Sequence, residues 1–275
     1  MERLGHLWGQ WWRQEGVDLR RVWAVGRNGF RELIRARVLY LLLVYGAIAL
    51  LAIVLLPQVA AANTAGKIML DFGLAGTIIV GLLTIAFVGT RSLEREMERR
   101  TILLMISKPL SRTELILGKQ VGLMGVSAVL VAATMAINAL AVVAMGYGAQ
   151  EWGAIALAGL FSFVELSLLS AIALLFGAFS SSLLAAVLTL ATFGVGHLSR
   201  DLLTIGQQLN SPAMQTLTER LYLVLPDLER LNLRNLAVYG MVPDGETLWA
   251  NGLYGVLYAI VVLGLAVWAF SRREF

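Results

Sequence analysis

Side chains able to carry site chemistry are sparse in this 275-residue chain, which has two histidines, His6 and His197, and no cysteine. Thiol nucleophiles, disulfides and cysteine metal sites are therefore excluded. The histidines stand far apart and neither belongs to an HExxH pattern, so no metal-binding pair is expected. Phosphate-binding loops are missing too. Gly66-Lys67-Ile68 and Gly118-Lys119-Gln120 lack the glycine spacing and the Ser or Thr by which a Walker A loop holds phosphates and magnesium. No catalytic, cofactor-binding or metal-binding residue is expected. One carboxylate stands out. The run Trp152–Ser199 carries a single charge, Glu165. A carboxyl in such a run either lines a substrate path or binds a proton, or is a neutral acid bonded to a serine such as Ser162 one turn away. His197, at the end of the same run, reads as a packed or interfacial residue.

The elements that must position Glu165 follow from composition. Hydrophobic residues make up 58% of the chain and charged residues 15%. Soluble domains run nearer half apolar and a quarter charged, and here the apolar surplus is gathered into long runs. A bilayer core about 30 Å thick needs about 20 apolar helical residues. Stretches that qualify are 38–56, 72–90, 120–145 and 248–271, while Trp152–Ser199 divides into 152–177 and 180–199 about a tight hairpin. Strands are excluded because open sheet edges cannot face lipid, and the period-two alternation of a membrane barrel is missing. The expected fold is an all-α polytopic membrane protein with six transmembrane helices, forming a single domain over 1–275.

Positive charge sets the expected orientation. Eight arginines precede Val38, seven Lys or Arg lie between Arg91 and Lys119, and Arg272 and Arg273 close the chain. Only Lys67, Arg200, Arg220, Arg230 and Arg234 fall on the other side. This asymmetry predicts cytoplasmic termini, in a multi-pass protein of a bacterial or archaeal plasma (inner) membrane. The basic residues flank helix ends, so nucleic acid is not expected as a partner, and the lipid bilayer is. No cleavable signal peptide is expected, because the basic first 37 residues contain no apolar core.

Three polar segments remain. Residues 19–37 read as an interfacial amphipathic helix, with Leu19, Val22, Trp23, Phe30, Leu33 and Ile34 on one face and Arg20, Arg27, Arg31 and Arg35 elsewhere. A plain juxtamembrane helix is the alternative. In the loop 91–119, alternating charges (Glu94, Arg95, Glu96, Glu98, Arg99) precede a short apolar stretch through Leu104. Pro109 then forces Lys108 out of helical geometry. Ser111 and Glu114 form a capping box that starts the next helix. A charged, apolar-faced cytoplasmic helix suits docking, and a packed connector is the alternative. The segment 200–247 is expected outside, with helices over 213–225 and 227–239, the second capped by Asp227.

Several of these residues resemble a known signature. Glu98-Arg99-Arg100-Thr101-Ile102, Ser107-Lys108-Pro109-Leu110-Ser111-Arg112 and Leu117-Gly118-Lys119 are similar to the ABC-2 type transporter permeases. The nearest subgroup includes the permease of the nitrous-oxide reductase maturation transporter. Arg27-Asn28-Gly29-Phe30-Arg31-Glu32, Arg35-Ala36-Arg37-Val38-Leu39, Leu225-Pro226-Asp227-Leu228 and the closing Arg272-Arg273-Glu274-Phe275 fit the same subgroup, whereas Arg100 stands where many relatives carry Gly. The resemblance implies six helices, a second permease subunit (homodimer or heterodimer) and two cytoplasmic ABC ATPase subunits. It implies docking of those ATPases through the interfacial helix (Arg27, Phe30, Arg31, Arg35) and a coupling loop. The loop residues concerned are Glu94, Glu96, Glu98, Arg99, Thr101, Leu104, Lys108, Pro109 and Arg112.

The expected function is thus the permease subunit of an ATP-driven exporter, not an enzyme. An intramembrane enzyme is the alternative from another class, disfavoured by the lack of paired catalytic groups within the spans. A non-transporting scaffold is the other.

Overall fold

The computed structural model describes residues 17–34, 38–61, 64–98, 111–146, 152–199 and 225–272, together with 204, 215, 216, 218, 220 and 222. The described residues are helices and turns, with no strand among them. In chain order they form α1 (Leu19–Leu33), α2 (Leu39–Val59), α3 (Ala65–Leu83), a π-helical segment (Thr84–Gly89) and α4 (Thr90–Glu98). These are followed by α5 (Arg112–Ala144), α6 (Trp152–Phe179), α7 (Ser182–His197), a 3-10 turn (Leu228–Leu231), α8 (Arg234–Val238) and α9 (Gly245–Ser271).

Five helical stretches are long and apolar enough to cross a membrane: α2, α3 with its continuation to Glu94, α5, α6 and α9. Large apolar side chains stay exposed along them; Leu43 and Leu50 on α2 and Ile260 and Val261 on α9 are examples. Apolar faces this extensive do not face water in a soluble monomer. The expected span 180–199 is shorter in the structure. α7 has 16 residues, about 24 Å of helix, less than the hydrocarbon thickness.

Span limits also move outward from the expected ones. The second helix begins at Ala65, ahead of the span drawn from 72, and the last at Gly245, ahead of 248; the third begins at Arg112, directly after the capping Ser111, with its span drawn from 120. Drawing the limits at charges places them too far in, because those charges have partners. Asp71 Oδ1 lies 2.9 Å from Arg234 Nε, and the Lys119 ammonium donates to Ser92 Oγ at 2.7 Å. A partnered charge does not end a helix, since its desolvation is offset locally.

Local chemistry fixes the α5 start as expected. Ser111 Oγ accepts from the Glu114 N–H at 3.1 Å, and the Glu114 carboxylate accepts from the Ser111 N–H at 2.9 Å. The same carboxylate accepts from the Asp18 N–H at 3.0 Å, tying the beginning of α1 to the beginning of α5.

α1 differs from the expected face. Its buried residues are Val22, Gly26, Gly29 and Leu33, whereas Leu19 and Trp23 are exposed. Glycines decide this. A Cβ on Gly118 of α5 would lie 2.6 Å from Val25 Cβ, and one on Gly122 would lie 3.0 Å from the Gly26 carbonyl oxygen. The small-residue stripe lets the two backbones approach until α1 lies against α5, and Trp23 turns away.

α6 is the most enclosed of the spanning helices. Polar clasps join its neighbours across the apolar interior. Gln120 donates to the Ser167 carbonyl at 2.9 Å and accepts from Ser170 at 3.1 Å. Tyr45 donates to Asn138 and contacts the Gly73 carbonyl, and Thr77 bonds Thr134 at 3.0 Å.

Between α7 and α9, the segment expected as one helix over 227–239 is broken. A 3-10 turn and α8 are separated at Asn232 and Leu233, where the Asn232 side chain accepts from the Arg234 N–H at 3.2 Å and restarts the helix. Asp227 does not cap it through its side chain; its carboxylate accepts from Tyr222 and Arg230 instead. Hydrogen bonds to Tyr222 and then Asp227 hold the Arg230 pKa above its ordinary value. Most of the helix expected over 213–225 lies outside the described residues. Leu228, Leu231, Leu233 and Ala237 are buried in the apolar cluster of the helices.

Candidate functional site

The hairpin of α6 and α7 turns at Ser180 and Ser181. Counting back from Ser180 reaches Glu165 after fifteen residues, and counting on from Ser181 reaches His197 after sixteen. Antiparallel helices place residues equidistant from their turn at the same height. Accordingly the Glu165 carboxylate (Oε1) lies 3.5 Å from His197 Nε2. Glu165 is 1% exposed and thirteen residues along α6 from Trp152, about 20 Å.

α7 stops at His197, and residues 226–238 pack over the gap beyond it. Gly196 permits this: a Cβ there would lie 2.7 Å from Leu228 Cγ. The 3-10 turn and α8 then close a cavity of about 430 Å³ with α3, α6 and α7. Its polar lining comprises Ser162, Glu165, His197, Glu229, Asn232, Arg234 and Asn235, and its apolar wall includes Ile78, Ile79 and Phe193.

The hydrogen bonding inside this cavity is uneven. Ser162, expected as a partner of Glu165, donates instead to the Ala158 carbonyl at 2.8 Å. Arg234 is held by Asp71, and Glu229 accepts from Asn232 at 3.1 Å. Glu165 Oε1 has no hydrogen-bond partner among the described residues. His197 Nδ1 lies 3.2 Å from the Phe193 carbonyl. A carbonyl only accepts, so Nδ1 carries the hydrogen, and in a neutral ring Nε2 presents a lone pair. With the carboxylate ionised and Nε2 unprotonated, two acceptors would face each other across 3.5 Å, so the pair needs either one proton between them or a cationic donor beside them.

His197, expected as a packed or interfacial residue, does pack on the Phe193 ring at 4.5 Å between centroids; its position opposite Glu165 was missed from sequence. The available signal was its distance from the hairpin turn, which equals that of Glu165 to within one residue. No comparable signal marks Glu229, Arg234 or Asp71, which the tertiary fold brings together.

At the opposite end of the bundle, the residues expected to dock an ATPase divide. Glu94 Oε1 accepts from the Ser182 N–H at 3.1 Å, placing a negative charge at the N-terminus of α7. Arg112 donates to the carbonyls of Ser271 at 2.7 Å and Phe270 at 3.4 Å, compensating the C-terminus of α9. Both residues thereby hold helices together. Glu96 and Glu98 lie on α4, where only the backbone is described. Arg99, Thr101, Leu104, Lys108, Pro109 and Arg35 lie outside the described residues. Arg27 and Arg31 are exposed on α1, while Phe30 is half-buried and a Cβ on Gly125 would meet its ring at 3.0 Å.

Comparison with known proteins gives one family match: the ABC-2 family transporter protein model covers residues 23–275. No curated protein matches the chain.

Proposed function

We propose that this chain, which belongs to the ABC-2 transporter family, is the permease of an ATP-driven exporter, paired with a second permease subunit and two cytoplasmic ATPase subunits. Family membership makes it a multi-pass transporter subunit, and the family implies ABC ATPases as partners. The observation that carries the finer reading is that the match runs from α1 through the last helix, so both cytoplasmic elements of the resemblance fall within it. In this reading α7 is a sixth crossing, short because the 228–238 segment completes it, and both termini are cytoplasmic. ATP and Mg sit on the partner. The docking surface centres on residues 96–109, with Glu94 and Arg112 passing its movement to α7 and α9. Likeness to the nitrous-oxide reductase maturation subgroup belongs to the same proposal.

The test is to purify the chain with its ATPase and compare Glu98→Arg and Leu104→Asp with wild type. Loss of a buried interface contact costs about 1–4 kcal/mol, about tenfold or more in affinity. Complex recovery and coupled hydrolysis should both fall. If neither changes, the loop is a connector.

A further inference from the structure

We infer that the cavity between α3, α6, α7 and α8 binds an amphipathic organic amine, its protonated nitrogen seated in the cavity beside the Glu165–His197 pair. Calling that occupant cargo rests on the permease reading, whereas its binding does not.

The first reason is the missing donor. Glu165 Oε1, buried and without a hydrogen-bond partner among the described residues, faces His197 Nε2 at 3.5 Å, and the other ring nitrogen is committed to Phe193. A primary or secondary ammonium carries at least two N–H groups and, from the cavity side, could donate to Glu165 Oε1 and to a second acceptor. A second reason is charge. The cavity is lined by two carboxylates, Glu165 and Glu229, and one guanidinium, Arg234. Asp71 already lies 2.9 Å from that guanidinium. Counting these carboxylates against the single guanidinium, the cavity is left short of positive charge, and an uncompensated charge at membrane depth is costly. The third reason is shape. A volume of about 430 Å³ lies within the range of sites for small organic molecules, and Ile78, Ile79 and Phe193 offer an apolar wall. A bare metal ion fits worse. Among the described residues no three His, Cys, Asp or Glu side chains are grouped to hold one.

A suitable probe is dansylcadaverine, a fluorescent apolar ring on a primary ammonium chain, with its N-acetylated analogue as a neutral control of nearly the same body. The full chain is placed in nanodiscs of phosphatidylglycerol and titrated with each. Dansylcadaverine should bind saturably with blue-shifted emission. The acetylated analogue should bind at least about tenfold more weakly, and Glu165→Gln should weaken the amine by a similar factor, because a hydrogen bond to a charged group is lost. Ile79→Trp fills the cavity from a position that is 52% exposed, so it leaves the fold intact and should also weaken binding. Equal binding of amine and acetylated analogue overturns the proposal. So does unchanged amine binding by Glu165→Gln, or by Ile79→Trp should the first variant not fold. An amino-headgroup lipid has the same chemistry as a free amine. If adding phosphatidylethanolamine to the discs displaces the probe from wild type, the lipid is the occupant; if binding is unchanged, a free amine is. Failure of an ATPase to co-purify would sink the permease reading and leave this measurement standing.

Discussion

Glu165 and His197 face each other at 3.5 Å across the α6–α7 hairpin, each within one residue of the same distance from its turn. Residues in direct contact couple by about 0.5–3 kcal/mol, whereas distant ones are additive. Thermal unfolding of Glu165→Gln, His197→Gln and the double variant in one detergent should give a non-additive cycle of that size. Transport by Glu165→Gln should fall while assembly is retained. Strict additivity together with normal transport would reduce the pair to packing.

The α1–α5 contact makes a contrast between two glycines. A Cβ on Gly118 would meet Val25 Cβ at 2.6 Å, whereas one on Gly29 meets nothing within 4 Å. Gly118→Ala should cost about 1–3 kcal/mol by overpacking. Gly29→Ala should be neutral or stabilising by up to about 1 kcal/mol through helix propensity. Differential scanning fluorimetry of both variants checks this, and equal effects would show that α1 does not pack on α5 through this stripe.

Glu94 caps a helix that follows it by nearly ninety residues, through a 3.1 Å bond from the Ser182 N–H. Glu94→Ala should destabilise the isolated permease by about 1 kcal/mol, the usual cost of a lost cap, and Glu94→Gln by less. A variant that loses ATPase docking at unchanged permease stability would instead make Glu94 a contact residue alone.

Asp71 and Arg234 join α3 to α8 at 2.9 Å, with side chains 48% and 39% exposed. Exposed pairs contribute about 0.2–1 kcal/mol, so Asp71→Asn should leave global stability nearly unchanged while loosening the 228–238 segment. Hydrogen exchange of Arg234–Val238 should quicken in Asp71→Asn and in Arg234→Gln by similar factors. The charge-swapped pair Asp71→Arg with Arg234→Asp should recover protection. Protection unaffected by either single change would mean that apolar burial of Leu231, Leu233 and Ala237 alone seats the segment.

The amino-acid sequence by itself determined that this is a polytopic helical membrane protein. The long apolar runs around 38–56, 152–177 (interrupted only by Glu165) and 248–271 admit no other backbone solution in lipid. It also determined the α5 start, since a capping box acts between residues three apart, and the hairpin near Ser180. Family membership was legible in local motifs around residues 98–119, although most of that loop lies outside the described residues. Tertiary structure decided what depends on long-range contact. It extended helices past Asp71 and Lys119, because Arg234 and Ser92 partner those charges. It turned the α1 face from Trp23 to Gly26, because two glycine stripes let backbones meet. It broke 227–239 at Asn232 and drew Glu229 and Arg234 down to Glu165. Amphipathic periodicity reports which residues prefer burial, but not which neighbour buries them. The cavity arises from α7 ending short of its neighbours and a distant segment filling the gap, a fit of lengths and volumes that exists only once the helices are packed.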